Sequence, residues 1–186
     1  MKREYCGLST AIASVAVLVI WWLAGPSQAA PQISIPKPLT LSWTKDQIKS
    51  HGAKYVVDAL SNQDRYEEVL KHIDLGESDW VALAPELARG TDAATAEGLA
   101  ISLALGLPKN PAAVLSALDP QMEPLAPERV CGAPFIEGTV KDIPGFIRRS
   151  QSALQRVQDV RLAKRKTECL DGLNEAAKNL QVDRRK

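Results

Sequence analysis

From residue 44 onward, apolar positions recur at intervals of three and four, the period of a helix with one buried face. Thr44 and Gln47 stand at capping-box spacing, and Ile48, Tyr55, Val56 and Leu60 follow on one side, so the pattern predicts a first helix starting at Thr44. Gly52 lies inside it and weakens it by about 1 kcal/mol relative to alanine, which predicts a bend. A second helix is predicted over 64–74, where Tyr66, Val69, Leu70 and Ile73 form a stripe and Arg65, Glu67, Glu68 and Lys71 stay outside it. The third starts at Ser78 as N-cap, turns Trp80, Leu83 and Leu87 inward, and stops at Arg89-Gly90. Pro85 requires a kink in it or a shorter helix. The fourth, over 92–107, carries little charge after Glu97 and is apolar on nearly all sides, which places it in the middle of the packing. Asn110 and Pro111, as N-cap and first helical residue, open a fifth helix that ends near Leu118.

Four prolines make 119–134 read as a loop, and it carries Cys131. Two longer helices follow, over 144–157 and 160–180, with Phe146, Ile147, Leu154, Val157, Leu162, Cys169, Leu170, Leu173, Ala177 and Leu180 as core candidates. No stretch alternates apolar and polar residues between turn signals. The expected fold class is all-α: an irregular bundle or short helix-hairpin array of about six to seven helices with short antiparallel links.

The chain opens differently. Lys2 and Arg3 precede an apolar run from Gly7 to Ala24, a break at Gly25-Pro26, and the small-residue order Ser27-Gln28-Ala29. Charge, apolar core and small residues in that order are the marks of a secretory signal, cleaved after Ala29. An uncleaved anchor facing the periplasm is the alternative, since the run approaches the roughly 18 residues that spanning needs. Cys6 stands before the apolar core, which argues against lipid modification at the cleavage site. The expected organisation is a signal over 1–29, a proline-rich extended leader over 30–43, one helical domain over 44–182 and a fraying basic tail over 183–186. Localisation is then periplasmic or secreted.

Export gives the cysteines their meaning. Two remain after the signal, Cys131 and Cys169, and an exported pair is most simply a disulfide. Closing that loop stabilises the fold by about 4 kcal/mol in the chain-entropy model. The histidines, His51 and His72, lie far from either cysteine in sequence and read as solvated or capping, so no metal site and no cofactor is expected.

Charge is near balance overall but not along the chain. From Ala30 to Ile147 there are 10 Lys/Arg against 16 Asp/Glu, and from Arg148 to Lys186 there are 11 against 5. The basic portion includes Arg148, Arg149, Arg156, Arg161, Lys164, Arg165 and Lys166. These residues face water or the acidic first part of the chain, or they form a partner- or anion-binding face. Export and the lack of interleaved aromatics argue against nucleic acid. An acidic protein or anionic lipid headgroups suit the face better.

Motifs for catalysis are missing: no Gly-x-Ser-x-Gly elbow, no phosphate-cradling glycine loop and no His-Glu-x-x-His helix. Glu67 and Glu68 are adjacent and so diverge on a helix, and Asp92 and Glu97 suit a helix start. No catalytic residue is assigned, although an enzyme whose site is assembled from distant helices would leave the same sequence. The run Val130 to Gly138 is apolar and turn-rich, and its Phe135 and Ile136 either lock the loop to the core or form an apolar contact surface for a partner.

The signal, the cysteine-containing turn at Cys131 ahead of Phe135-Ile136-x-Gly138, and the later Cys169 resemble small exported α-helical proteins of proteobacteria. Some of those are immunity proteins that block type VI secretion effectors in the periplasm. The resemblance covers roughly the last third of the domain and implies an inhibitor-like role. Taken together, the expectation is an exported, non-enzymatic protein that binds another envelope protein, with a peripheral protein on anionic lipid as the alternative.

Overall fold

The computed structural model describes residues 33–136 and 138–183. The signal over 1–29 and the last three residues of the tail lie outside them. All regular structure among the described residues is helical: ten α-helices and two 3-10 turns. They are α1 Leu41–His51, α2 Ala53–Asn62, α3 Tyr66–Asp74, α4 Ser78–Val81, α5 Ala84–Ala88, α6 Ala93–Gly106, α7 Pro111–Ala117, α8 Pro127–Cys131, α9 Ile143–Gln155 and α10 Ala163–Asp183. The 3-10 turns are Glu123–Leu125 and Val160–Leu162.

The number exceeds six to seven because glycine and proline divide what periodicity joins. Gly52, at φ 86°, ends α1 and starts α2, so the chain breaks where a bend was expected. Pro85 sits in the first turn of α5, and the predicted third helix becomes α4 and α5. Ser78 is the first residue of α4 rather than its cap, and its Oγ accepts from Asn110 Nδ2 at 3.0 Å. The predicted loop over 119–134 contains both a 3-10 turn and α8, because Pro124 and Pro127 each open a helical turn instead of preventing one. The helix predicted from Val160 begins as a 3-10 turn and becomes α-helical at Ala163.

The first helix also starts earlier than Thr44. Thr40 caps it, with Oγ1 accepting from Trp43 N at 3.3 Å. Thr44 is wholly buried, and its hydroxyl donates back to Thr40 O at 3.0 Å. The end of the leader docks on the domain. Leu39 is buried, Arg65 donates to Pro36 O at 2.9 Å while pairing with Glu68, and Gln63 donates to Ile33 O at 3.3 Å.

Side chains cap α6 and α7 as well. Asp92 and Thr95 form a reciprocal capping box on α6, and Asn110 Oδ1 accepts from Ala113 N at 3.2 Å at the head of α7. As its composition requires, α6 is central and packs on α3, α5, α7 and α8. Its Leu99, Ala100, Leu103 and Ala104 are wholly buried. Each such leucine contributes about 2–3 kcal/mol of apolar burial. Gly106 lets α6 approach α3 closely, since a β-carbon there would strike Ile73 O at 2.6 Å. Among the described residues no helix is long and apolar enough to cross a membrane.

Candidate functional site

Cys131 and Cys169 form the disulfide, with Cα atoms 5.0 Å apart. Both are wholly buried, and the bond ties the end of α8 to α10. The apolar run after Cys131 divides in two. Phe135 is half-buried and meets Phe146 edge-on, ring centroids 4.7 Å apart, while Ile136 is 57% exposed. The segment is therefore packed on the core through Ala133 and Phe135, and Ile136 is exposed beside them.

The seven basic residues do not form one face of free charge. Lys166 Nζ donates to Gln155 O at 3.1 Å and Val157 O at 2.9 Å, closing the C-terminal end of α9. Arg165 Nη1 reaches Leu115 O and Ser116 O, both at 3.3 Å, in the last turn of α7. Arg161 pairs with Asp159 at 2.7 Å, which holds the Asp159 carboxyl down at about 2. Arg149 lies 3.7 Å from Asp142, Lys164 lies 3.7 Å from Glu168, and Arg156 donates to Ser152 Oγ at 3.0 Å. Arg148 is exposed and makes neither ion pair nor hydrogen bond among the described residues. Each ion pair among those residues joins groups close in sequence, so none of them bridges the acidic and basic parts of the domain across distant helices.

Arg148 stands at a groove of about 330 Å³ between α9 and α10. Pro144, Ile147 and Gln151 line one side, and Ala177, Leu180 and Gln181 the other. On each helix these positions are spaced three and four apart, so the groove runs between two parallel ridges. Gln151 Nε2 donates to Asn174 Oδ1 at 2.8 Å and fixes the two walls together. Sequence periodicity assigned Ile147, Ala177 and Leu180 to the core. Ile147 is buried, while Ala177 and Leu180 are only half-covered.

Three further clefts differ in character. One, of about 350 Å³, gathers Glu128, Glu168, Asp171 and Glu175 beside the disulfide. A broad depression of about 510 Å³ runs along α4 and α7 to Asp159 and Leu162. The third lies between α2, α3 and the start of α6 and includes Ser61 and Tyr66. Tyr66 is 5% exposed and its hydroxyl has no hydrogen-bond partner among the described residues. The stripe of α3 marked Tyr66 as core and missed this. The signal available was the residue type, because a buried tyrosine hydroxyl needs a partner.

The histidines are occupied separately. His72 stacks on Trp80 and its Nδ1 lies 2.8 Å from Glu77 Oε2, while His51 rests against Tyr55 on α2. Among the described residues no group of three or more His, Cys, Asp or Glu is arranged to hold a metal ion. No family model, curated protein or solved structure matches the chain.

Proposed function

We propose that this chain is an exported, non-enzymatic protein that binds another protein of the cell envelope, in the groove between α9 and α10. The observation that carries this reading is Arg148, a cation without an internal counterion beside half-covered Ala177 and Leu180. Two ridges at helical spacing accept a third helix. The occupant that fits is an amphipathic helix whose apolar stripe lies on Ala177 and Leu180 and whose carboxylate meets Arg148. The resemblance read from the signal and the Cys131 turn, to small exported helical proteins some of which are immunity proteins, makes a secreted effector one such partner to test.

In-cell crosslinking of the tagged protein, followed by mass spectrometry, tests it. One stoichiometric partner should be captured, and lost with Arg148→Glu or Leu180→Glu at unchanged melting temperature. Capture that is indifferent to both substitutions overturns the groove as the site.

A second reading has its own observation. Val160 is 85% exposed in a stretch that also carries Arg156, Arg161 and Lys164, an apolar tip among cations that suits an anionic lipid surface. Binding to acidic vesicles that fades with salt and with Val160→Asp supports it, and vesicles that retain nothing sink it.

A further inference from the structure

The cleft between α2, α3 and α6 carries hydroxyls that the fold leaves unused. It has a volume of about 260 Å³. Ser61 comes from the end of α2, Asp64 from the turn after it, Tyr66 and Leu70 from α3, and Gly98 from α6. Ser61 Oγ and Tyr66 Oη are shielded from solvent and have no hydrogen-bond partner among the described residues. A buried hydroxyl left unpaired is destabilising, and a ligand supplying the missing partner recovers that cost. Burial, with Glu67 and Asp92 close by, pushes the Tyr66 phenol pKa up, so the group keeps its proton and both donates and accepts.

The charge around the cleft selects the sign of the ligand. A helix start such as that of α6 attracts anions in general. Here Asp92 already occupies it, with Oδ1 accepting from Thr95 N at 2.9 Å and from Thr95 Oγ1 at 2.7 Å. Those bonds hold the Asp92 carboxyl below the usual range, so it stays charged. Asp64 and Glu67 line the cleft, and their side chains make no ion pair or hydrogen bond among the described residues. An anion would meet three carboxylates, whereas a cation meets them with favourable sign. Leu70, Ala94 and Gly98 supply an apolar wall.

We propose that this cleft binds an alkyl chain ending in an ammonium group, the chemistry shared by a lysine side chain and a free alkylamine. A side-chain rotation turns Tyr66 Oη and Ser61 Oγ toward the cleft, where the ammonium donates to them, Asp64 and Glu67 balance its charge, and the methylenes lie along Leu70 and Gly98. The site is separate from the α9–α10 groove and does not depend on it.

Titration of the ¹⁵N-labelled full chain with n-butylammonium, N-acetyl-lysine methylamide and butyrate tests the proposal. Both amines should give saturable shifts at Thr95 and Gly98, and butyrate none. Tighter binding of the lysine derivative assigns the ligand to a protein side chain, and tighter binding of the simple amine to a free alkylamine. Tyr66→Phe should weaken amine binding by about tenfold, the scale of one hydrogen bond, while the melting temperature holds or rises. If Tyr66→Phe does not fold, Asp64→Asn and Glu67→Gln at exposed positions provide the same readout. Shifts that do not saturate, equal shifts with butyrate, or undiminished binding by the carboxamide variants would overturn it.

Discussion

Cys169, a third of the way along α10, is bonded to Cys131 at the end of α8, and both are sealed from solvent. The longest helix is thereby tied to a five-residue helix that packs on α6. With the bonded positions separated by 38 in sequence, the chain-entropy model assigns the crosslink about 4 kcal/mol. Replacing both cysteines with serine should lower the unfolding free energy in urea by roughly that amount. Intact mass under non-reducing alkylation should show both thiols protected in the oxidised protein.

Lys166 and Arg148 belong to the same basic stretch but should respond oppositely to substitution. Lys166→Ala removes the donor that closes the end of α9 and should cost about 1 kcal/mol in thermal unfolding. Arg148→Ala should leave stability within about 0.5 kcal/mol of wild type, as for an exposed residue without partners. Equal losses at the two positions would contradict the assignment.

Asp74 gives a pH dependence. It is half-buried at the end of α3, and burial raises its carboxyl pKa although Ser102 and Lys109 pull the other way. Because the folded-state value lies above the unfolded one, the fold binds the proton more tightly. The penalty is absent below the unfolded value, develops as pH rises through the folded one, and persists at neutrality. Asp74→Asn should therefore raise the melting temperature at pH 7 and change it little below a pH of about 3.5.

Gly52 is exposed, and no atom lies close to where its β-carbon would stand. Its positive φ is then the whole obstacle to other residues. Gly52→Ala should destabilise by about 1 kcal/mol or more through backbone strain. Gly52→Asn should cost as much, since φ 86° with ψ 156° lies outside the left-handed α region that asparagine tolerates.

Much of the fold was legible because its signals are local. Asn110 with Pro111 states a helix start within two residues, and the unbroken apolarity of α6 states its central place. What escaped were choices between two local outcomes. Thr44 and Thr40 are both credible caps, and the burial of Leu39 and Thr44 favours Thr40. Pro124 and Pro127 suit a loop or a helix start equally well in sequence. The groove was less visible still. Ile147, Ala177 and Leu180 carry a core pattern, and only the placement of α9 against α10 leaves the last two partly uncovered. For the basic residues, the carbonyls that claim Lys166 and Arg165 sit at helix ends that no charge count locates.

Because the ion pairs among the described residues link near neighbours along the chain, no electrostatic latch of that kind holds distant helices together. Apolar packing, one covalent bond and hydrogen bonds such as Arg165 to Leu115 O and Gln151 to Asn174 do that instead. Cohesion thus depends little on ion pairs between exposed side chains. Ionic strength can dim the surface field, slowing encounter with a charged partner, while the arrangement of helices that meets the partner stays as it was.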